Sequence, residues 1–334
     1  MRTYVFLLCF FIFSCKTEPK QLIKTQFTGG VFGTSYSIIS LSENNLDCQA
    51  QIDSVFYVVN QSLSTYIPES DISKINLGDS TIQVDHMFKD VFTVSREIYG
   101  KTNGYFDPTV GTLVNAWGFG PGQELAMDSL KVDSLLRYVG FDKVAITTGG
   151  TISKEHPAIY FDFNAIAKGY AIDRVAVLMD NLGIENYLIE IGGEVVGKGI
   201  NTLKNKPWAI GIDNPESEYQ RESKIAIQLI DRALASSGNY RKFRVDESTG
   251  EKFVHTVDPI SGFTKSSSTL GVTVLADNCT IADGYATAFM AMGLDLAKGI
   301  IESDTSLDAY IIYADADGTI QEFMTEGFKK IILE

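Results

Sequence analysis

From Tyr187 to Val257 the chain offers one strand-like run after another, with no helix between them. The runs are YLIEIGGEVVGKGI (Tyr187–Ile200), WAIGIDNP (Trp208–Pro215), Ile225–Ile230, Ala233–Ser236 and Phe253–Val257. Amphipathic spacing instead predicts helices over Asp47–Leu63, Asp85–Tyr99, Ser129–Val139, Ala165–Leu182 and Cys279–Gly293. Strict βαβ alternation is therefore absent, and no clean linker divides the chain. The pattern is that of an α+β or mixed α/β fold. Phe27–Leu41 reads as a strand or hairpin, Val144–Ile152 with Ala158–Phe163 as a hairpin, and Gly271–Cys279, Ala309–Tyr313 and Glu322–Met324 as strands. Ser70 is placed to cap a short helix ending near Asn76. The stretch YFDPTVGTLVNAWGFGP (Tyr105–Pro121) reads as a well-packed loop.

The first residues do not belong to this fold. In MRTYVFLLCFFIFSC an Arg precedes an apolar run from Tyr4 to Phe13, long enough for a signal peptide and too short to span a bilayer. Ile12-Phe13-Ser14-Cys15 resembles a lipobox. The expected division is a lipoprotein signal peptide over 1–14, a tether over 15–25 that begins at a lipidated Cys15, and one domain over 26–334. The chain then faces the periplasm from a lipid anchor, with inner and outer membrane both open. A net charge of −14 argues against nucleic acid, which demands a basic face. Cys48 and Cys279 lie far apart and outside any CxxC, which argues against structural zinc and leaves a disulfide between them open.

Three sets of residues could carry chemistry. Asp283 and Thr287 fall one helical turn apart, so a carboxylate and a hydroxyl share a face. Such hard oxygens suit Mg²⁺ or Ca²⁺, and equally serve a helix start and a back-bonded threonine. In YFDFNAIAKGYAIDRVAVLM (Tyr160–Met179) a strand-like run meets a helix. Asp162 and Asn164 can cap that helix, and Lys168 sits in its first turn, where the dipole disfavours a cation. Lys168 either faces an anion or snorkels to solvent. His255, before the Asp258-Pro259 turn, is a general base or a locally bonded ring. Tyr240 and Arg241 in SSGNYRKF could stack or meet phosphate.

Taken in order, these strings resemble the FAD:protein FMN transferase (ApbE) family. They are GGVFGTSYSI, NQSLSTYIPESDISKIN, NGYFDPTVGTLVNAWGFGP, FDFNAIAKGYAIDRV, IEIGGEVVGKG, PWAIGIDNP, ASSGNYRKF, HTVDPISG and ADGYATAFMAMG. The resemblance implies an ApbE-like fold of mixed, largely antiparallel sheets flanked by helices. It implies an Mg²⁺-dependent enzyme that moves FMN from FAD to a Thr or Ser hydroxyl of a target protein and releases AMP. A membrane-bound electron-transfer subunit would be such a target. Carried over by motif, the metal ligands are the Ala165 carbonyl, Asp283 and Thr287. The FAD contacts are Phe32, Tyr66, Tyr105, Phe106, Asp107, Asp162, Lys168 and Val257, with Arg241 a neighbouring candidate. His255 and Asp283 are the candidate bases, His255 the better one because a coordinated Asp is a poor base. The same site could hydrolyse FAD to FMN and AMP, and a non-catalytic FAD-binding lipoprotein is the reading of a different class. Two positions depart from the family: Phe32 stands where Met is usual, and Gly284 where Ala is usual. A glycine there is expected to loosen the helix carrying Asp283 by about 1 kcal/mol.

Overall fold

The computed structural model describes residues 22–215, 223–238, 243–245, 252–264 and 268–333. The chain opens with a hairpin, β1 (Ile23–Val31) and β2 (Thr34–Ser42), and a helical region follows: α1 (Gln49–Leu63), α2 (Asp71–Asn76), α3 (His86–Lys101), α4 (Gly111–Ala116) and α5 (Ser129–Leu136). A small ribbon of β3 (Val144–Ile146) and β4 (Ile152–Lys154) leads to α6 (Ala167–Asn181). The strand series comes next: β5 (Asn186–Ile191), β6 (Glu194–Lys198), β7 (Trp208–Asp213), β8 (Ser223–Leu229), β9 (Arg232–Gly238), β10 (Phe243–Val245), β11 (Lys252–Val254) and β12 (Thr269–Ala276). The chain closes with α7 (Cys279–Met292), α8 (Leu294–Ser303), β13 (Asp308–Ala314), β14 (Ile320–Met324) and α9 (Glu326–Lys329).

Eight strands form one sheet in the order β1-β2-β5-β6-β9-β12-β13-β14, with every neighbouring pair antiparallel. Period-two alternation divides its side chains between two cores. On β12 Val272 and Val274 face the helices, while Leu275 faces away; on β13 Ala309 and Ile311 face the helices, and Tyr310 and Ile312 turn away. The helix side is covered by α6 against β5 and β6 and by α7 against β9 and β12. The other side is covered by the β7–β8 ribbon and α9, through Trp208, Ile227, Leu229 and Phe328. Both faces of the central strands are thus buried, which is why β12 and β13 read as near-continuous apolar runs.

Several expectations change at their edges. Ser70 does cap α2, its Oγ accepting from Ser73 N at 3.2 Å. The Tyr105–Pro121 stretch is not all loop, for it contains α4. The hairpin forms only between Val144–Ile146 and Ile152–Lys154. Residues 158–163 do not join it, because the Asn76 side chain takes both main-chain groups of Phe161, at 2.7 and 2.8 Å. Cys48 and Cys279 are both buried free thiols in one core cluster.

Candidate functional site

Two helix N-termini meet at the centre of the molecule and cap each other. Asp173, in the second turn of α6, accepts from Cys279 N at 2.9 Å and Thr280 N at 2.8 Å, the first amides of α7, and from the Thr280 hydroxyl. In return Asp283 of α7 accepts from Gly169 N at 3.0 Å, in the first turn of α6. The sequence assigned capping of α6 to Asp162 and Asn164. Here α6 starts at Ala167 behind Ile166, which gives no side-chain cap. Asp162 instead accepts from Asn164 N at 2.8 Å and closes a turn ahead of the helix. Local capping is replaced here because the carboxylate comes from another helix, distant in sequence.

Glycine makes this contact feasible. A Cβ on Gly169 would lie 2.3 Å from the Cys279 carbonyl oxygen and 2.9 Å from Asp283 Cβ. The contact also diverts Gly169 N from the carbonyl four residues back, that of Ala165, which is left without that partner. Asp283 is 3% exposed. Burial pushes its carboxyl up to about 7, opposed by the nearby Lys168 charge and reinforced by Glu194. Thr287 lies one turn further along α7, half-buried. Among the described residues no three His, Cys, Asp or Glu side chains converge on one point. Any cation here needs a mixed set of carboxylate, hydroxyl and carbonyl oxygens.

Lys168 does not snorkel freely to water. Its Nζ lies 2.6 Å from Glu194 Oε1, and Glu194 is only 2% exposed. Glu194 opens β6 after the Gly192-Gly193 turn, where both glycines have positive φ, 63° and 104°. Gly192 lies against Thr34 of the first hairpin, and its amide donates to Ser35 O at 3.0 Å. The two hairpin tips therefore sit side by side, and the first carries Phe32. Phe32 has φ 50° and packs edge-on against Phe56 with ring centroids 5.7 Å apart.

A second wall forms around Asp107 and Asp162. Asp107 is buried; its Oδ1 accepts from Thr109 N and Oγ1 at 2.7 and 2.6 Å, and its Oδ2 from Phe141 N at 3.2 Å. Burial raises its carboxyl to about 6 despite these bonds. Gly111 lets α4 press on this wall, since a Cβ there would meet Tyr160 at 2.7 Å and Asp162 Cβ at 3.0 Å. Asp162 N also donates to Pro108 O at 2.7 Å. Tyr66 stands 58% exposed opposite; local burial, then Asp162 and Tyr160, raise its phenol. Asn164 Nδ2 reaches Thr65 Oγ1 at 3.3 Å across the same gap. The turn after half-buried His255 docks on α4 through a bond from Trp117 Nε1 to Gly262 O at 2.9 Å.

The expected residues fall into three settings. Asp283, the Ala165 turn, Lys168 and Thr287 belong to the paired helices. Asp162 and Tyr66 face one another across the second wall. Phe106, Asp107 and Val257 are buried, so what they can offer a ligand is main chain or a side-chain edge. Tyr105 is half-buried against the main core. At Gly284 a Cβ would come within 2.5 Å of Ile98 Cδ1, the tip of an α3 side chain. Glu194 and Asp173 were missed as site-shaping residues, although both lie within quoted strings. A charge inside a strand of core residues was the available signal for Glu194. Cys15, Tyr240 and Arg241 lie outside the described residues. A cleft of about 510 Å³ beside Arg174, Asp180 and Lys198 contains none of the expected residues.

Residues 32–311 match the model of the ApbE family. A Vibrio cholerae protein named FAD:protein FMN transferase is 34% identical over 95% of this chain and 95% of its own. One of the same name from Haemophilus influenzae is 31% identical over 95% of this chain and 93% of its own. The solved flavin transferase ApbE from Vibrio cholerae superposes with a TM-score of 0.82 at 32% identity, covering 93% of this chain and 99% of that one. The Thermotoga maritima ApbE protein gives a TM-score of 0.81 at 25% identity, covering 93% and 100%.

Proposed function

The chain belongs to the ApbE family, and on that premise we propose that it is an Mg²⁺-dependent FAD:protein FMN transferase acting on a Thr or Ser hydroxyl of a separate protein. The observation that carries this reading is the contact of Gly169 N with Asp283. It sets a buried carboxylate beside a carbonyl whose intrahelical partner has been diverted. Those oxygens, with the Thr287 hydroxyl one turn on, form a hard donor set that fits a small divalent cation.

A bound Mg²⁺ supplies Lewis-acid polarisation and charge neutralisation at the pyrophosphate. The chain's own groups do the rest. Lys168, held by Glu194, adds a fixed positive charge beside the phosphates. Tyr66 and Asp162 border the space for the nucleotide, and Phe32 offers a ring to the flavin. The acceptor oxygen attacks the FMN phosphorus and the bond to AMP breaks. His255 takes the hydroxyl proton. Asp283 suits that task less well, because its carboxylate already caps α6. His255→Ala that retained full transfer with unchanged pH dependence would remove the histidine from this role.

The direct test is incubation with Mg²⁺ and FAD, with and without a candidate acceptor, read by mass spectrometry. A flavin-labelled acceptor supports transfer. Free FMN alone supports hydrolysis, with water in place of the hydroxyl, and no turnover leaves a binding protein. An electron-transfer subunit of the membrane is the class of acceptor to try first. The leader and Cys15 support a lipid-anchored, periplasm-facing location. Among the described residues no helix is long and apolar enough to cross a membrane.

A further inference from the structure

Glu194 carries one feature that the ion pair with Lys168 leaves unexplained. Its Oε1 is 2.6 Å from Lys168 Nζ, but Oε2 is buried without a hydrogen-bond partner. A buried ionised oxygen left unpaired costs more than most lost hydrogen bonds. Its position explains what could satisfy it. Lys168 precedes Gly169, whose amide sits on Asp283, and α7 packs against β6, the strand that Glu194 opens. Glu194, Asp283 and Asp173 thus gather about the single ammonium of Lys168, so carboxylates outnumber it at this corner.

We propose that Glu194 is a positioning residue for the divalent ion: Oε2 accepts a hydrogen bond from an ion-bound water while Oε1 fixes Lys168. This rests on the cation reading above and deepens it. Groups that orient a metal's bound ligands in this way change affinity by about 10–100-fold when removed. The charge argument also gives opposite signs for the two partners. Loss of the Glu194 charge weakens cation binding, whereas loss of the Lys168 charge strengthens it or leaves it unchanged.

The experiment is titration of the whole protein with Mn²⁺ as the probe, free ion being read by electron paramagnetic resonance, with thermal melts to check folding. Glu194→Gln is expected to raise the Mn²⁺ dissociation constant about tenfold or more, and Lys168→Met is expected not to raise it. Glu194→Gln matching the wild type overturns this inference while leaving FMN transfer intact. Equal losses in both variants also overturn it, since Glu194 would then act only by anchoring Lys168. Wild type that binds no Mn²⁺, with or without FAD, overturns the cation reading and this inference together. Should Glu194→Gln not fold, Glu194→Asp keeps the charge but withdraws the oxygen, and parity with the wild type overturns the inference in the same titration.

Discussion

Gly169→Ala is the most exacting perturbation of this molecule. The new methyl would stand 2.3 Å from the Cys279 carbonyl oxygen and 2.7 Å from its carbon. Both atoms are main chain in the first turn of α7, so no side chain can swing aside. Ordinary contact requires the two helices to part by about 1 Å, which overpacking series put at about 1–3 kcal/mol. The same movement stretches the Gly169–Asp283 bond, and hydrogen bonds to charged groups contribute about 1.5–3 kcal/mol. Alanine's better helix propensity returns about 1 kcal/mol. The net loss is about 2–5 kcal/mol, which lowers the melting temperature by roughly 5–15 °C in a domain of this size.

Gly284→Ala is the matched control, because its short contact is the tip of Ile98, 2.5 Å away. Ile98 can shift or be shortened, so the single change costs no more than about 1 kcal/mol, and Ile98→Val with Gly284→Ala gains up to about 1 kcal/mol over the wild type. Circular dichroism melts of the four proteins decide it. A Gly169→Ala melt within 2 °C of the wild type, or equal effects of the two glycine substitutions, would refute the helix-contact argument.

Asp107 gives a pH-dependent prediction. Its folded value, about 6, lies above the ordinary carboxylate value, so between about pH 4 and 6 the folded state holds a proton that the unfolded state has released. Stability from this group therefore falls as pH rises through that window, by about 3 kcal/mol in all. Asp107→Asn lacks that slope, and in urea unfolding it should be most damaging near pH 4.5 and least near pH 7; an equal effect at both pH values would sink the assignment. Cys15→Ser should move the protein from the membrane to the soluble fraction and abolish incorporation of labelled palmitate, and retention at the membrane would remove the lipid-anchor reading.

Much of the fold was legible because burial on both faces of the sheet writes itself into the sequence as apolar runs. The Ser70 cap was legible too, since its bonds are local. What misled were segments whose hydrogen bonds are settled from afar. Residues 158–163 have strand composition, but Asn76 occupies the Phe161 main chain and denies it a hairpin partner. The α4 turn looked like loop because Gly111 is required for its approach to Tyr160, a contact that no local pattern encodes. At the site, motif resemblance pointed to Ala165, Lys168 and Asp283, and the contact of Gly169 with Asp283 brings their two helices together. It did not find that Lys168 is already claimed by a buried carboxylate, because Glu194 lies on β6, the second strand after α6.

The acids at this corner answer first to the fold. Two helix N-termini brought together present two positive dipole ends and unsatisfied amides at one place. Carboxylates are what such ends demand, and Asp173 and Asp283 meet the demand reciprocally. Asp173 is fully used, with three donors on its two oxygens. The bond from Gly169 engages only Asp283 Oδ2. That asymmetry separates a structural acid from one that can also serve a ligand, and it follows from register: Asp173 faces the start of α7, whereas Asp283 lies a turn past that start, level with the opened first turn of α6. A chain that needs to hold a cation beside phosphates can therefore draw both the carboxylate and the spare carbonyl from one helix contact, which a side chain at Gly169 would force apart.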